Sequence, residues 1–134
     1  MPDDEHSSTP MHRIATDLTV AFERDQPGTL ALATEAIARA GINIDACAEL
    51  EGRLHLVTSD AAGAREALGA ARFAVAGEQP VLVIDAVDQP GTVAAIFRRL
   101  ADAGINIHFA YVGARNRIVI GPDDVDRAVA ALGA

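Results

Sequence analysis

Four side chains stand out for the chemistry they could do: Asp25, Asn43, Asp88 and Asn106. Asp25 opens the run Asp25-Gln26-Pro27-Gly28-Thr29, which returns as Asp88-Gln89-Pro90-Gly91-Thr92. Asn43 lies in Gly41-Ile42-Asn43-Ile44, which returns as Gly104-Ile105-Asn106-Ile107. Proline near a first helical turn costs no hydrogen bond, because its missing N–H would be an orphan there. Gly28 and Gly91 carry no Cβ, so a small molecule could approach the backbone closely. Exposed N–H groups and the helix dipole favour an anion such as an α-carboxylate. Asp25 or Asp88 would supply the negative charge that an α-ammonium group needs, and an Asn offers both a donor and an acceptor. Together these polarities suit a zwitterion. The candidate ligand-binding residues are Asp25, Gln26, Gly28, Asn43, Asp88, Gln89, Gly91 and Asn106. A purely structural reading stands beside this one: the Asp residues cap their helices and the Asn residues satisfy nearby backbone.

Elements must position these residues, and they too come twice. Both recurrences lie 63 residues apart, so the chain holds a duplicated unit. In the first copy Leu18, Val20 and Phe22 alternate with Thr19, Ala21 and Glu23, which predicts a half-buried strand. The Asp-Gln-Pro-Gly turn and a helix to about Ala40 follow, stopped by Gly41. A second strand runs from Ile42, with Asp45, Cys47 and Glu49 expected on its open face and His55 of a third strand expected across from Glu49. Ser59 or Asp60 caps a short Ala-rich helix, and Arg72 to Val75 reads as a fourth strand. The second copy repeats the order: strand residues Val81, Val83 and Val87, then a helix with the stripe Val93, Ile96, Phe97, Leu100 and Ala103. Ile105, Ile107, Phe109 and Tyr111 alternate in its next strand, Ile118 and Ile120 mark another, and Val125, Val129 and Leu132 line a last helix. Each turn with its open helix end is expected beside the strand that starts with Asn.

The fold class expected is therefore α+β: two ferredoxin-like βαββαβ units in tandem, with antiparallel sheets and helices on one face. The expected boundaries are a disordered tail at 1–12, a first unit at 13–78 and a second at 79–134. The second unit is expected to lack its last strand. Residues near Ile14 or a partner chain could fill that edge, and one long bent strand could serve both units over 72–87. An unfilled edge invites pairing, so a homodimer is expected.

Composition excludes several classes. With 11 Lys+Arg against 19 Asp+Glu and no basic cluster, the chain offers no phosphate-neutralising surface, so neither nucleic acid nor an anionic membrane is an expected partner. No apolar run is long enough to span a bilayer, and the acidic start lacks the pattern of a signal peptide, so a cytoplasmic location is expected. Cys47 is the single cysteine, which rules out an intrachain disulfide. Metal ligands could in principle be drawn from Asp45, Cys47, Glu49 and His55, but the second copy has Ala110 and Val112 where Cys47 and Glu49 stand, so no metal site is expected. His108 stands where the first copy has Asp45. No Ser-His-Asp set, phosphate loop or zinc-type cysteine pair is present, so neither catalytic residues nor a cofactor are expected.

A strand, then Asp-x-Pro-Gly, then a helix ending in Ala-x-x-Gly-Ile-Asn-Ile resembles the ACT domain, the amino-acid-sensing module of biosynthetic enzymes. The two copies read Ile37-Ala38-Arg39-Ala40-Gly41-Ile42-Asn43-Ile44 and Leu100-Ala101-Asp102-Ala103-Gly104-Ile105-Asn106-Ile107, and the resemblance covers residues 17–134. It implies a stand-alone tandem ACT protein that binds a free amino acid at interfaces between ACT units and regulates amino-acid metabolism allosterically. In the serine-sensing members the polar residue before x-Pro-Gly and the Asn after the helix hold the ligand. Those roles fall here on Asp25 with Asn43 and on Asp88 with Asn106. The first position is Asn in those members and Asp here, so the identity of the ligand stays open. Two other readings remain: a regulatory subunit that docks onto a separate biosynthetic enzyme, and an enzyme with the ferredoxin-like fold, which would need paired titratable groups in a deep pocket.

Overall fold

The computed structural model of the chain describes residues 11–24 and 26–133. The strands are β1 (Met11–Ala21), β2 (Ile44–Leu50), β3 (Arg53–Thr58), β4 (Ala74–Asp85), β5 (Ile107–Val112) and β6 (Arg117–Pro122). The helices are α1 (Thr29–Arg39), α2 (Ala61–Ala70), α3 (Thr92–Asp102) and α4 (Val125–Ala131), with a 3₁₀ turn at Ala114–Asn116. Thr16–Gln79 form one compact unit, and the chain up to Ala15 joins Pro80–Ala134 in the other.

In the first unit the order is βαββαβ and the strands lie β2-β3-β1-β4. β3 runs antiparallel to both β1 and β2. Alternation sends Leu18 and Val20 of β1 and Leu54 and Leu56 of β3 to one face, where Ala33 and Ile37 of α1 and Ala64 and Leu68 of α2 cover them. Small alanines at the helix contacts let α1 and α2 sit close to the sheet. Asp60 caps α2 by accepting from the Gly63 N–H at 3.0 Å. Asp60→Ala should therefore cost about 1 kcal/mol in a urea melt.

The second unit builds the same layers. Leu82 and Ile84 of β4 and Ile118 and Ile120 of β6 pack on Ile96 and Leu100 of α3 and Ala128 and Leu132 of α4. Asp124 caps α4 through the Arg127 N–H. Phe97 packs on this core, but Val93, expected on the same stripe, is 44% exposed. Its strands lie β1-β4-β6-β5, and β6 is antiparallel to β4 and β5. The strand expected to be missing is supplied by the start of β1, whose residues up to Ala15 belong to this unit. β4 is one continuous strand, with Ala74–Gln79 in the first unit and Pro80–Asp85 in the second. β1 starts at Met11, two residues inside the stretch expected as a tail, and the rest of that tail lies outside the described residues.

Both edge strands carry a bulge at the same point of the repeat. The β2–β3 register shifts between Ile44 and Ala46, and the β5–β6 register between Ile107 and Phe109. One extra residue, Asp45 or His108, turns every later side chain to the other face. Ala46 then pairs with Val57 and Cys47 with Leu56, so Cys47 and Glu49 share the face of Leu56 and Leu54 rather than the opposite one. His55 pairs with Ala48, not Glu49. In the second unit the bulge puts Phe109 and Tyr111 across from Gly121 and Val119, on the face away from the helices. The uniform alternation expected for both strands therefore breaks.

Candidate functional site

Among the described residues, each repeated turn leads into a helix whose N-terminus no side chain caps. The N-cap residues are Gly28 and Gly91, at φ 93° and φ 92°, and neither makes a side-chain cap. That left-handed backbone is why glycine stands at both places. A Cβ built on either residue meets nothing within 4 Å among the described residues, so there is room beside each glycine. Asp88 thus does not cap α3, and the capping role considered for it is not the one it performs. Asp25 lies outside the described residues. Gln26, Asp88 and Gln89 are exposed.

The Asn residues follow the far ends of the same helices. Asn43 is held by its backbone: its N–H donates to Ser59 Oγ at 3.1 Å and its carbonyl accepts from the Ser59 N–H. Its side-chain amide donates to Asp45 Oδ1 at 2.7 Å. Asn106 has the same frame, with its N–H 3.4 Å from Asp123 Oδ2 and its carbonyl accepting from the Asp123 N–H. Its side-chain nitrogen lies 3.4 Å from His108 Nδ1. The bulged residue thus sits beside the Asn in both units, a carboxylate in one and an imidazole in the other. Bulges often re-aim side chains in this way near binding sites.

Within a unit the turn and the Asn are not neighbours. An 11-residue helix separates Gly28 from Asn43, and another separates Gly91 from Asn106. Such a helix is about 16 Å long, more than the length of a free amino acid. The cavities agree. One of about 280 Å³ in the first unit is lined by Phe22, Gln26, Thr29 and Phe73 without Asn43. An open groove of about 760 Å³ in the second unit runs along α3 and β5 past Asn106, Ile105 and Ile107 without Asp88, Gln89 or Gly91. The expected closeness of turn and Asn inside one copy does not hold, because α1 and α3 carry the chain across the whole sheet.

One polar cluster was not read from the sequence. Asp17 is fully buried on β1, and Thr19 beside it is 7% exposed, although Leu18 and Val20 between and after them face the helices. The Asp17 carboxylate accepts from Thr19 Oγ1 at 2.9 Å and from the side-chain amide of Gln79. His55 Nδ1 lies 3.1 Å from Asp17 Oδ2. The register that pairs Thr19 with His55 creates the cluster, and only the tertiary structure supplies that register. Among the described residues, no group of three or more His, Cys, Asp or Glu could hold a metal, and no helix is long and apolar enough to cross a membrane.

Residues 80–133 match the model of the ACT domain. No curated protein matches the chain in sequence. Among solved structures, protein BT0572 from Bacteroides thetaiotaomicron is 30% identical with a TM-score of 0.78, over 90% of this chain and 88% of that one. The regulatory subunit of aspartate kinase from Thermus thermophilus, in a ligand-free form, is 21% identical with a TM-score of 0.67, over 92% and 90% of the two chains. Aspartokinase alpha and beta subunits are 19% identical with a TM-score of 0.71, over 98% and 96%. The last two likenesses are of fold.

Proposed function

We propose, from the premise that this chain belongs to one family with protein BT0572 and carries an ACT domain at residues 80–133, that it is a non-enzymatic tandem ACT protein that senses a free amino acid. The observation that carries the reading is the pair of helix ends at Gly28 and Gly91, uncapped among the described residues and each with room beside its glycine. Such an end favours a carboxylate, and the Asn with its bulged neighbour offers the mixed polarity that an α-ammonium and side chain need. Because the turn and the Asn lie at opposite ends of a helix, one ligand can touch both kinds of residue only where two copies of the motif meet. A homodimer supplies that meeting. β2 and β5 are edge strands with backbone groups open to a second chain, and the apolar groove along β5 adds buried area. A ligand that binds the assembled pair better than the separated one shifts the packing, which is how a sensor transmits. A cytoplasmic setting fits a free amino-acid ligand.

A second reading is favoured by the fold likeness to a regulatory subunit of aspartate kinase: docking onto a separate biosynthetic enzyme. Leu30 and Leu32 of α1, 44% and 58% exposed, supply apolar surface for it.

Thermal-shift measurements against the twenty amino acids test the first reading. At least one should raise the melting temperature at millimolar concentration, with about 2.7 kcal/mol of linkage at a hundred times its Kd. Asn43→Ala combined with Asn106→Ala should weaken it about tenfold. Stabilisation by none of the twenty would defeat the reading, and an unchanged affinity in the double variant would remove the Asn residues from the site.

A further inference from the structure

α1 and α3 hold the same place in the two copies of the repeat, and one outward stripe differs between them in a paired way. In the second unit the open groove beside β5 is lined by Ala94, Phe97, Arg98 and Ala101 of α3, a stripe at helical spacing, and by Ala110 of β5. Sixty-three residues earlier the same stripe of α1 reads Ala31, Thr34, Glu35 and Ala38. The alanines at the two ends are shared. The two central positions are not. A large ring and a cation in the second copy stand where the first has a small side chain and an anion.

Each unit has an edge strand, β2 in the first and β5 in the second. A second copy that adds its edge strand antiparallel to β5 lays its own helix antiparallel beside α3. Helices that meet this way along the stripe pair its ends crosswise and set centre against centre. What stands opposite Phe97 and Arg98 then depends on which unit the second copy offers. Its α3 would set Arg98 beside Arg98 and ring against ring. Its α1 sets Glu35 beside Arg98, Thr34 beside Phe97, and alanine against alanine at both ends. Opposite charges attract across such a contact and like charges oppose it. A small residue facing a large one also avoids the overpacking of two rings. Thr34 suits an apolar neighbour, because its hydroxyl bonds the Leu30 and Ala31 carbonyls of its own helix, at 3.0 and 3.1 Å. Glu35 is exposed and, among the described residues, has no ion pair. Arg98 meets Asp102 at 3.2 Å on the surface, and its remaining donors can take a second carboxylate.

We propose that the groove beside α3 is the docking surface for α1 of a second copy of this chain, so that the second unit of one copy pairs with the first unit of another. The pairing rests on the homodimer of the reading above and adds which faces meet. Pairing of like units repeats one charge across the contact, Glu35 on Glu35 or Arg98 on Arg98, whereas pairing of unlike units matches them. The antiparallel run also carries the Gly28 end of α1 toward Asn106, which lines the groove. A ligand held by both a turn and an Asn then takes the turn from one copy and the Asn from the other.

Disulfide trapping on the full chain tests it, with Cys47→Ser in place so that only introduced thiols remain. Chains carrying Ala31→Cys and chains carrying Ala101→Cys are mixed in equal amounts and oxidised. The mixture should give a covalent pair on a non-reducing gel, at least about fivefold more than either chain alone, because these thiols face each other only when α1 meets α3. A mixture of Ala94→Cys and Ala101→Cys chains should give no such excess. Sedimentation supplies the second measurement. Arg98→Glu and Glu35→Arg should each weaken self-association about tenfold, and the double variant should return to within about threefold of the wild type. Both positions are exposed, so the circular dichroism spectra of the variants should match the wild type, which separates lost association from lost folding. If the Ala94→Cys and Ala101→Cys mixture traps and the Ala31→Cys and Ala101→Cys mixture does not, like units pair: the homodimer stands and this pairing is overturned. Single charge variants that associate as the wild type does overturn it too. A chain that stays monomeric at about one hundred micromolar overturns the pairing and the homodimer together.

Discussion

Asp17→Ala should destabilise the chain by about 3 kcal/mol, the largest loss expected from any single polar substitution here. Asp17 is fully buried, and its carboxylate is the shared acceptor for Thr19, Gln79 and His55. Removing it leaves three donor groups facing a gap. A carboxylate offers acceptors at both oxygens, and Asp17→Asn, which keeps only one, tests how much of the loss comes from them. Its amide nitrogen would point at groups that already donate, so it should recover only part of the loss, about 1 kcal/mol. For a chain of this size 3 kcal/mol corresponds to a fall of about 10 °C in melting temperature, measurable by circular dichroism. A fall under 2 °C for Asp17→Ala would mean that the cluster is solvated and contributes little. His55 is partly open to solvent, and its removal leaves two of the three donors in place, so His55→Ala should cost less than Asp17→Ala.

Gly121→Val should cost about 2–3 kcal/mol for a different reason, overpacking. Gly121 of β6 faces Phe109 of β5, and a Cβ there would clash with the edge of the Phe109 ring, far closer than van der Waals contact. The ring must leave its place, and with it the stacking on Tyr111, whose centroid lies 6.2 Å away. The same contact pins the bulge at His108, because Phe109 can lie over Gly121 only in the shifted register. The substitution should therefore disturb Asn106 as well, three residues up the strand. Combining Gly121→Val with Phe109→Ala restores space, so the double variant should cost less than the sum of the singles by about 1 kcal/mol. Strict additivity would show that the two residues do not press on each other.

How far the chain could be read in advance depended on whether a feature was local. The helix boundaries followed from local signals. Asp60 and Asp124 accept from N–H groups three residues on, and the glycines after α1 and α3 hold the left-handed turn. The apolar stripe on α3, the alternating Leu18 and Val20, and the pair Ile118/Ile120 pointed to the faces that form the two cores. Sheet register was another matter. A bulge inserts one residue without any mark in composition, and the alternation written over Asp45, Cys47 and Glu49 reversed after the first of them. The Asp17 cluster depends on residues 38 and 62 positions away, His55 and Gln79, which no local window joins.

The repeat shows the same division. By itself the sequence determined that two motifs recur at one offset, that each turn feeds a helix, and that each Asn leads into a strand. These are consequences of nearby residues: glycine's tolerance of positive φ, proline's missing N–H, and the periods of helix and strand. Only the tertiary structure decided that the turn and the Asn of one copy stand at opposite ends of an 11-residue helix. It also decided that the first residues of β1 complete the second unit. Both outcomes rest on which strand pairs with which. Strand pairing is a long-range choice, made where apolar faces and backbone donors across the whole chain are satisfied together.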